Sequence, residues 1–162
     1  MPISVTANKS TLSVGLGQTV FVREGEIAQS VLGSCVGLVI YHEIRRVAAM
    51  THVVLPEGAN RSGPPGKFAD TAVPHMLAEL FARHQVKSGL VAKLAGGANM
   101  FGSKGPIQIG EANIVAVKRM LGNFDIPLAG EHLGGNCGRR VCFDPASGEC
   151  SIEVHGQPVA VI

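Results

Sequence analysis

The chain has 162 residues, 46% of them hydrophobic and 16% charged, with a formal charge of +2. That length suits one domain with a substantial core, so residues 1–162 are expected to fold as a single unit. The weak charge, with six Phe and one Tyr for stacking, argues against nucleic-acid binding, and no apolar run reaches the roughly 18 residues a membrane span requires.

The N-terminal stretch M-P-I-S-V-T-A-N-K-S has neither a basic start nor an apolar core, so no secretory signal is read and a cytoplasmic location is expected. Q-T-V-F-V-R-E-G alternates and ends in turn chemistry, which predicts a strand. S-V-L-G-S-C-V-G-L-V-I then looks like a buried strand interrupted by Gly33-Ser34-Cys35, with V-G-L-V-I-Y as its regular part. V-A-A-M-T-H-V-V-L predicts the next strand, and the Gly- and Pro-rich E-G-A-N-R-S-G-P-P-G-K an exposed loop.

Ala69, Ala72, Val73, Met76, Leu77, Leu80 and Phe81 form one helical stripe. Asp70 is expected to cap that helix, with Pro74 tolerated near its first turn. L-V-A-K-L-A predicts a strand and G-G-A-N-M-F-G-S-K-G-P a glycine-rich loop. A second helix is expected from about Glu111 to Leu121 with Gly122 as its stop, followed by strands and turns from Ile126 onward. The order of elements predicts an α/β domain with mixed or antiparallel sheet rather than a doubly wound one. Neither G-x-G-x-x-G nor G-x-x-x-x-G-K-[ST] occurs, so no nucleotide cofactor is expected.

Cysteines stand at 35, 137, 142 and 150, at spacings unlike those of zinc sites, so no metal is expected and Cys137, Cys142 and Cys150 read as packing residues. Cys35 is different because of its neighbours. The second and third strands are joined by Y-H-E-I-R-R, short enough for an antiparallel hairpin. With the turn centred between Glu43 and Ile44, Cys35 lies directly opposite His52. Opposed residues share a face with Cβ atoms roughly 4.5–5.5 Å apart, close enough for an imidazole to reach a thiol. A thiol beside an imidazole is the equipment of nucleophilic acyl transfer, and amide groups at Gly33-Ser34 suit an oxyanion. A buried Cys and a buried His are also ordinary core residues, and the same pair would serve a peptidase or thioesterase. His42, His75, His84, His132 and His155 read as surface or packing residues.

L-G-S-C-V-G-L-V-I followed by M-T-H-V-V-L-P resembles the signature of the CheD family, chemotaxis proteins that deamidate glutamines of chemoreceptors. The resemblance continues through K-F-A-D-T-A, K-L-A-G-G-A-N-M-F, I-G-E-A-N-I and L-G-G-N-C-G-R-R-V-C-F, over roughly residues 15 to 155. It implies α/β/β layers, similar to the deamidating domain of cytotoxic necrotizing factors, and a Cys-His-Thr site. Residue by residue, the match puts the nucleophile on Cys35 and the histidine on His52. Where the family carries threonine this chain has Gln29-Ser30, so Ser30 and Gln29 are alternatives for the group that orients the imidazole. Gly33 and Ser34, with Gly96 and Gly97, are expected to hold the oxyanion. The resemblance further implies chemoreceptors as protein substrates. It also implies a partner, the phosphatase CheC, and through it a phosphorylated response regulator. A regulator of CheC with weak or lost catalysis is the alternative reading.

Overall fold

The computed structural model describes residues 8–100 and 108–162. The end of the glycine-rich loop and most of the N-terminal stretch, both read above from sequence, lie outside the described residues. Strands β1 (Ser10–Ser13), β2 (Thr19–Arg23), β3 (Glu26–Leu32), β4 (Val36–His42) and β5 (Val47–Val53) come first. A 3-10 turn (Pro65–Lys67) leads into α1 (Ala69–His84), β6 (Leu90–Gly96) and α2 (Ile109–Asn123). The chain closes with β7 (Leu128–Leu133), β8 (Arg139–Asp144), β9 (Glu149–Val154) and β10 (Gln157–Val161).

The strands form two five-stranded sheets, ordered β1-β3-β8-β9-β10 and β2-β5-β4-β6-β7. Each is mixed: β1–β3 and β6–β7 pair in parallel, and the remaining neighbours are antiparallel. Period-2 alternation decides what lies between the layers. Val36, Leu38 and Ile40 of β4 face Ala72, Met76 and Leu80 of α1 and Val117 and Leu121 of α2. Val39 and Tyr41, on the opposite face of β4, meet Leu32, Val141, Phe143 and Ile152 of the other sheet. Two apolar cores therefore separate three layers, helices on sheet on sheet: the α/β class read from the element order, in the layers that the resemblance implies.

Several local expectations change. S-V-L-G-S-C-V-G-L-V-I is two strands: β3 belongs to one sheet and β4 to the other, with Gly33-Ser34-Cys35 as the bend between them. Asp70 does not cap α1. Phe68 holds the N-cap position without a side-chain bond, and the Asp70 carboxylate accepts the Gly58 N–H instead (2.9 Å), pinning the preceding loop. Pro74, expected near the first turn, lies in the second turn of the helix, which starts at Ala69. Phe81, at the end of the predicted stripe, is exposed, whereas its neighbour Leu80 is fully buried in the core. Helix α2 starts before Glu111 and continues through Gly122; the left-handed residue after it is Asp125 (φ 54°).

Candidate active site

The bend 33–35 is where the chain crosses from one sheet to the other, and its three carbonyls are all engaged. Gly33 O accepts from Ala98 N–H (2.9 Å) and Cys35 O from Gly97 N–H (2.8 Å). Ser34 O accepts from Nδ2 of Asn113 (3.3 Å). Among the described residues no acceptor meets the N–H groups of Ser34 and Cys35. Amides left unpaired beside a nucleophile are the kind of donor an oxyanion requires.

That arrangement corrects part of the oxyanion expectation. The N–H of Gly97 is taken up by Cys35 O, so Gly97 serves as scaffold. Gly96 contributes closeness rather than a donor: it has φ +104°, and a Cβ there would stand 2.3 Å from Cys35 O. Only glycine allows β6 to approach the bend so nearly. Gly33 and Ser34 remain at the bend itself.

The hairpin register differs from the one expected. In the β4–β5 ladder Gly37 is opposite His52, and the last rung is Val36 with Val53. The turn is centred one residue later, between Ile44 and Arg45, because Arg46 takes a left-handed conformation (φ 52°) and its N–H closes onto His42 O (2.9 Å). Moving the centre by one residue shifts every partner by two and leaves the faces unchanged. Continued past its last rung, that register would put Val54 rather than His52 opposite Cys35, which packs against the intersheet core on the side that His52 faces. Among the described residues no hydrogen bond joins the two side chains; such bonds often form only when substrate closes a site.

His52 is buried and tightly held. Its Nδ1 lies 2.9 Å from Ser30 Oγ and 3.3 Å from Val14 O. Ser30 Oγ is 2.7 Å from the same Val14 carbonyl, which can only accept. The single hydroxyl proton therefore goes to Val14 O, Oγ accepts from Nδ1–H, and Nε2 is left with its lone pair. This is the tautomer a general base needs.

Strand alternation separates the two orienting candidates. Ala28, Ser30 and Leu32 point into the intersheet core, whereas Gln29 lies on the outer face of β3, where its Oε1 accepts from Cys142 Sγ (3.5 Å). Gln29 is removed from the site by that geometry. Val14 and Asn113 were not anticipated. A carbonyl carries no residue-type signal, but Asn113 does: it is the polar member of a buried α2 face that includes Gly110, Ala116, Val117 and Leu121.

Burial sets the protonation of the pair. Desolvation raises the Cys35 thiol above its ordinary value and lowers His52 below its own, only partly opposed by the Val14 carbonyl. Both shifts favour the neutral forms, thiol and imidazole, over an imidazolium–thiolate pair. The other cysteines are free thiols. Cys150 is buried, with its thiol pushed up to about 12 chiefly by desolvation, whereas Cys137 and Cys142 are half-buried. Among the described residues no group of three His, Cys, Asp or Glu side chains is disposed to hold a metal, and no helix is long and apolar enough to cross a membrane.

The model of a family described as CheD chemotactic sensory transduction matches residues 54–154, a span that starts just after His52. The probable chemoreceptor glutamine deamidase CheD of Desulforamulus reducens is 43% identical over 136 residues, covering 81% of this chain and 82% of that one. The chemoreceptor glutamine deamidase CheD of Thermotoga maritima is 40% identical over 144 residues, covering 88% and 91%. A relative from Clostridium novyi, with the probable deamidase name, is 34% identical over 161 residues, covering 96% and 99%. Among solved structures, Bacillus licheniformis hypothetical protein YfiH aligns with a TM-score of 0.47 at 10% identity, over 78% of this chain and 60% of that one.

Proposed function

The chain belongs to the CheD family, and from that membership we propose that it is a chemoreceptor glutamine deamidase working through Cys35 and His52. The observation that carries the proposal is the held imidazole. His52 is locked as the Nδ1–H tautomer by Ser30 and Val14, on the same side of the sheet as a half-buried thiol whose own bend offers amides with no acceptor among the described residues.

The chemistry follows from those protonation states. His52 Nε2 takes the Cys35 proton as sulfur attacks the carboxamide carbon of a substrate glutamine. The carbonyl oxygen becomes an oxyanion facing the Ser34 and Cys35 amides. The imidazolium then protonates the amide nitrogen, and the C–N bond breaks to give ammonia and a thioester. Water, deprotonated by His52, cleaves the thioester to glutamate and returns the thiol. Ser30 stabilises the transient imidazolium as acceptor from Nδ1–H, the role that orients the base in other nucleophile–base pairs. Each turnover adds one negative charge to a receptor surface, a change able to bias a two-state signalling element.

A purified receptor signalling fragment incubated with the protein should show Gln-to-Glu conversion by mass spectrometry. Conversion persisting in Cys35→Ala would remove the nucleophile assignment. We also propose a cytoplasmic setting and CheC as a partner, on the resemblance alone; co-elution of the two purified proteins tests the latter. Stable CheC binding without conversion by the wild type would favour the regulator reading.

A further inference from the structure

We infer that Asn113 is a positioning residue for the proposed deamidation, supplying the rung that the β4–β5 ladder lacks beside the nucleophile. The inference rests on the Cys35–His52 reading.

The ladder that aligns the two strands stops at Val36 and Val53. The next residues outward are Cys35 on one strand and Val54 on the other, so no strand pairing fixes the nucleophile relative to the histidine's strand. Asn113 spans that gap from the helix layer. Its Nδ2 donates to Ser34 O (3.3 Å) and to Val54 O (3.0 Å) at once. One grip is next to Cys35 and the other is just beyond His52. Both acceptors are carbonyls, so the amide orientation is fixed by chemistry: only the NH2 end can serve them.

Two further observations point to a role at the site rather than in the core. Asn113 is fully buried, and among the described residues its Oδ1 has no partner. A buried amide with half its capacity unused is a poor choice for packing alone. The helix is also seated against the same loop by close approach. A Cβ on Gly110 would lie 2.5 Å from Gly97 O and 2.6 Å from Ala98 O, and one on Gly97 would meet Ile114 Cδ1 at 2.5 Å. Gly97 in turn donates to Cys35 O. Helix α2 thus holds the bend directly through Asn113 and indirectly through Gly97. The clamp sets how Cys35 and its amides face His52.

The test compares Asn113→Ala and Asn113→Asp with Val117→Ala. Val117 lies one turn further along the buried face of α2, and its truncation weakens the same helix without touching the bend. Receptor-fragment kinetics are read below the melting temperature, together with the pH profile of Cys35 alkylation by iodoacetamide. Asn113→Ala should lower kcat by about tenfold or more with KM within about twofold, and alter the alkylation profile. Asn113→Asp should be most impaired at alkaline pH and recover on acidification, as its protonated carboxyl regains one donor. Val117→Ala should keep kcat despite a comparable fall in melting temperature. A folded Asn113→Ala with wild-type kcat and alkylation would overturn the inference. So would an equal kcat loss in Val117→Ala, or failure of both Asn113 variants to fold, which would assign the residue to the core. A wild type that converts no glutamine sinks the deamidase reading instead, and the alkylation profiles still decide whether Asn113 sets the environment of Cys35.

Discussion

Ser30→Ala is the substitution that most directly probes how the base is held. It deletes an oxygen that accepts from His52 Nδ1 (2.9 Å) and donates to Val14 O (2.7 Å), both inside the buried intersheet core. Each neutral hydrogen bond is worth about 0.5–1.5 kcal/mol net, so the pair sets an upper cost of about 3 kcal/mol. Val14 O already stands 3.3 Å from Nδ1, and it becomes the replacement acceptor. That compensation brings the expected loss to about 1–2 kcal/mol, or roughly 2–8 °C in melting temperature for a domain of this size. Removing the orienting carboxylate of a serine-protease triad costs about 10⁴ in kcat. Here the group is a neutral hydroxyl and the fallback carbonyl preserves the tautomer, so a drop of about 10–100-fold is expected, about 1.4–2.7 kcal/mol of barrier. KM should hardly move, since Ser30 is 4% exposed and out of reach of a protein substrate. Ser30→Thr, which keeps the hydroxyl, should retain most of the rate. The assay is steady-state deamidation of a receptor fragment beside a thermal melt. A folded Ser30→Ala protein with kcat within about twofold of wild type would refute the orienting role.

Gln29→Ala should leave deamidation unchanged, because that side chain meets Cys142 on the far face of β3; a tenfold rate loss, on the order of 1.4 kcal/mol, would contradict this. His52 must be neutral to accept the thiol proton, and burial lowers its value, so the acid limb of kcat/KM should fall below 6.5, whereas a limb above 6.5 would contradict the burial argument. Alkylation of Cys35 in the absence of substrate should rise through a value above 9.0, since burial raises the thiol; a flat profile from neutral pH would indicate an ion pair. The lowered His52 value means the unfolded chain binds more protons than the folded one in acid. Stability should therefore decline as pH falls from 6.5 through the folded value, and His52→Gln should reduce that decline in urea titrations. Gly110→Ala gains about 1 kcal/mol of helix propensity yet should lower both melting temperature and activity, because the new Cβ meets backbone oxygens at 2.5 and 2.6 Å. An Ala variant more stable than wild type would show that the α2 seat is soft.

The sequence was most informative wherever a residue's role depends on its own periodicity. The apolar runs of β4 and β5, buried on both faces, and the apolar stripe of α1 were legible because apolar side chains mark the covered faces of a strand or helix. E-I-A-Q-S-V-L carries no such pattern, so Ser30 and Gln29 stayed alternatives until β3 was seen to turn Ala28, Ser30 and Leu32 inward. Gly33-Ser34 marked a break in the apolar run.

The tertiary structure alone decided the rest, because those features depend on chain segments far apart in sequence. The hairpin's centre was fixed by the left-handed Arg46, a preference that E-I-R-R does not advertise. Gly33-Ser34-Cys35 became a crossing between sheets only when β8 paired with β3 and β6 with β4. Val14 enters as a carbonyl, which every residue type provides, so only packing could bring it to His52. Likewise the Asn113 clamp exists because α2 lies over the frayed end of the β4–β5 ladder. Composition and period select the faces; the meeting of backbone groups across the layers selects the site.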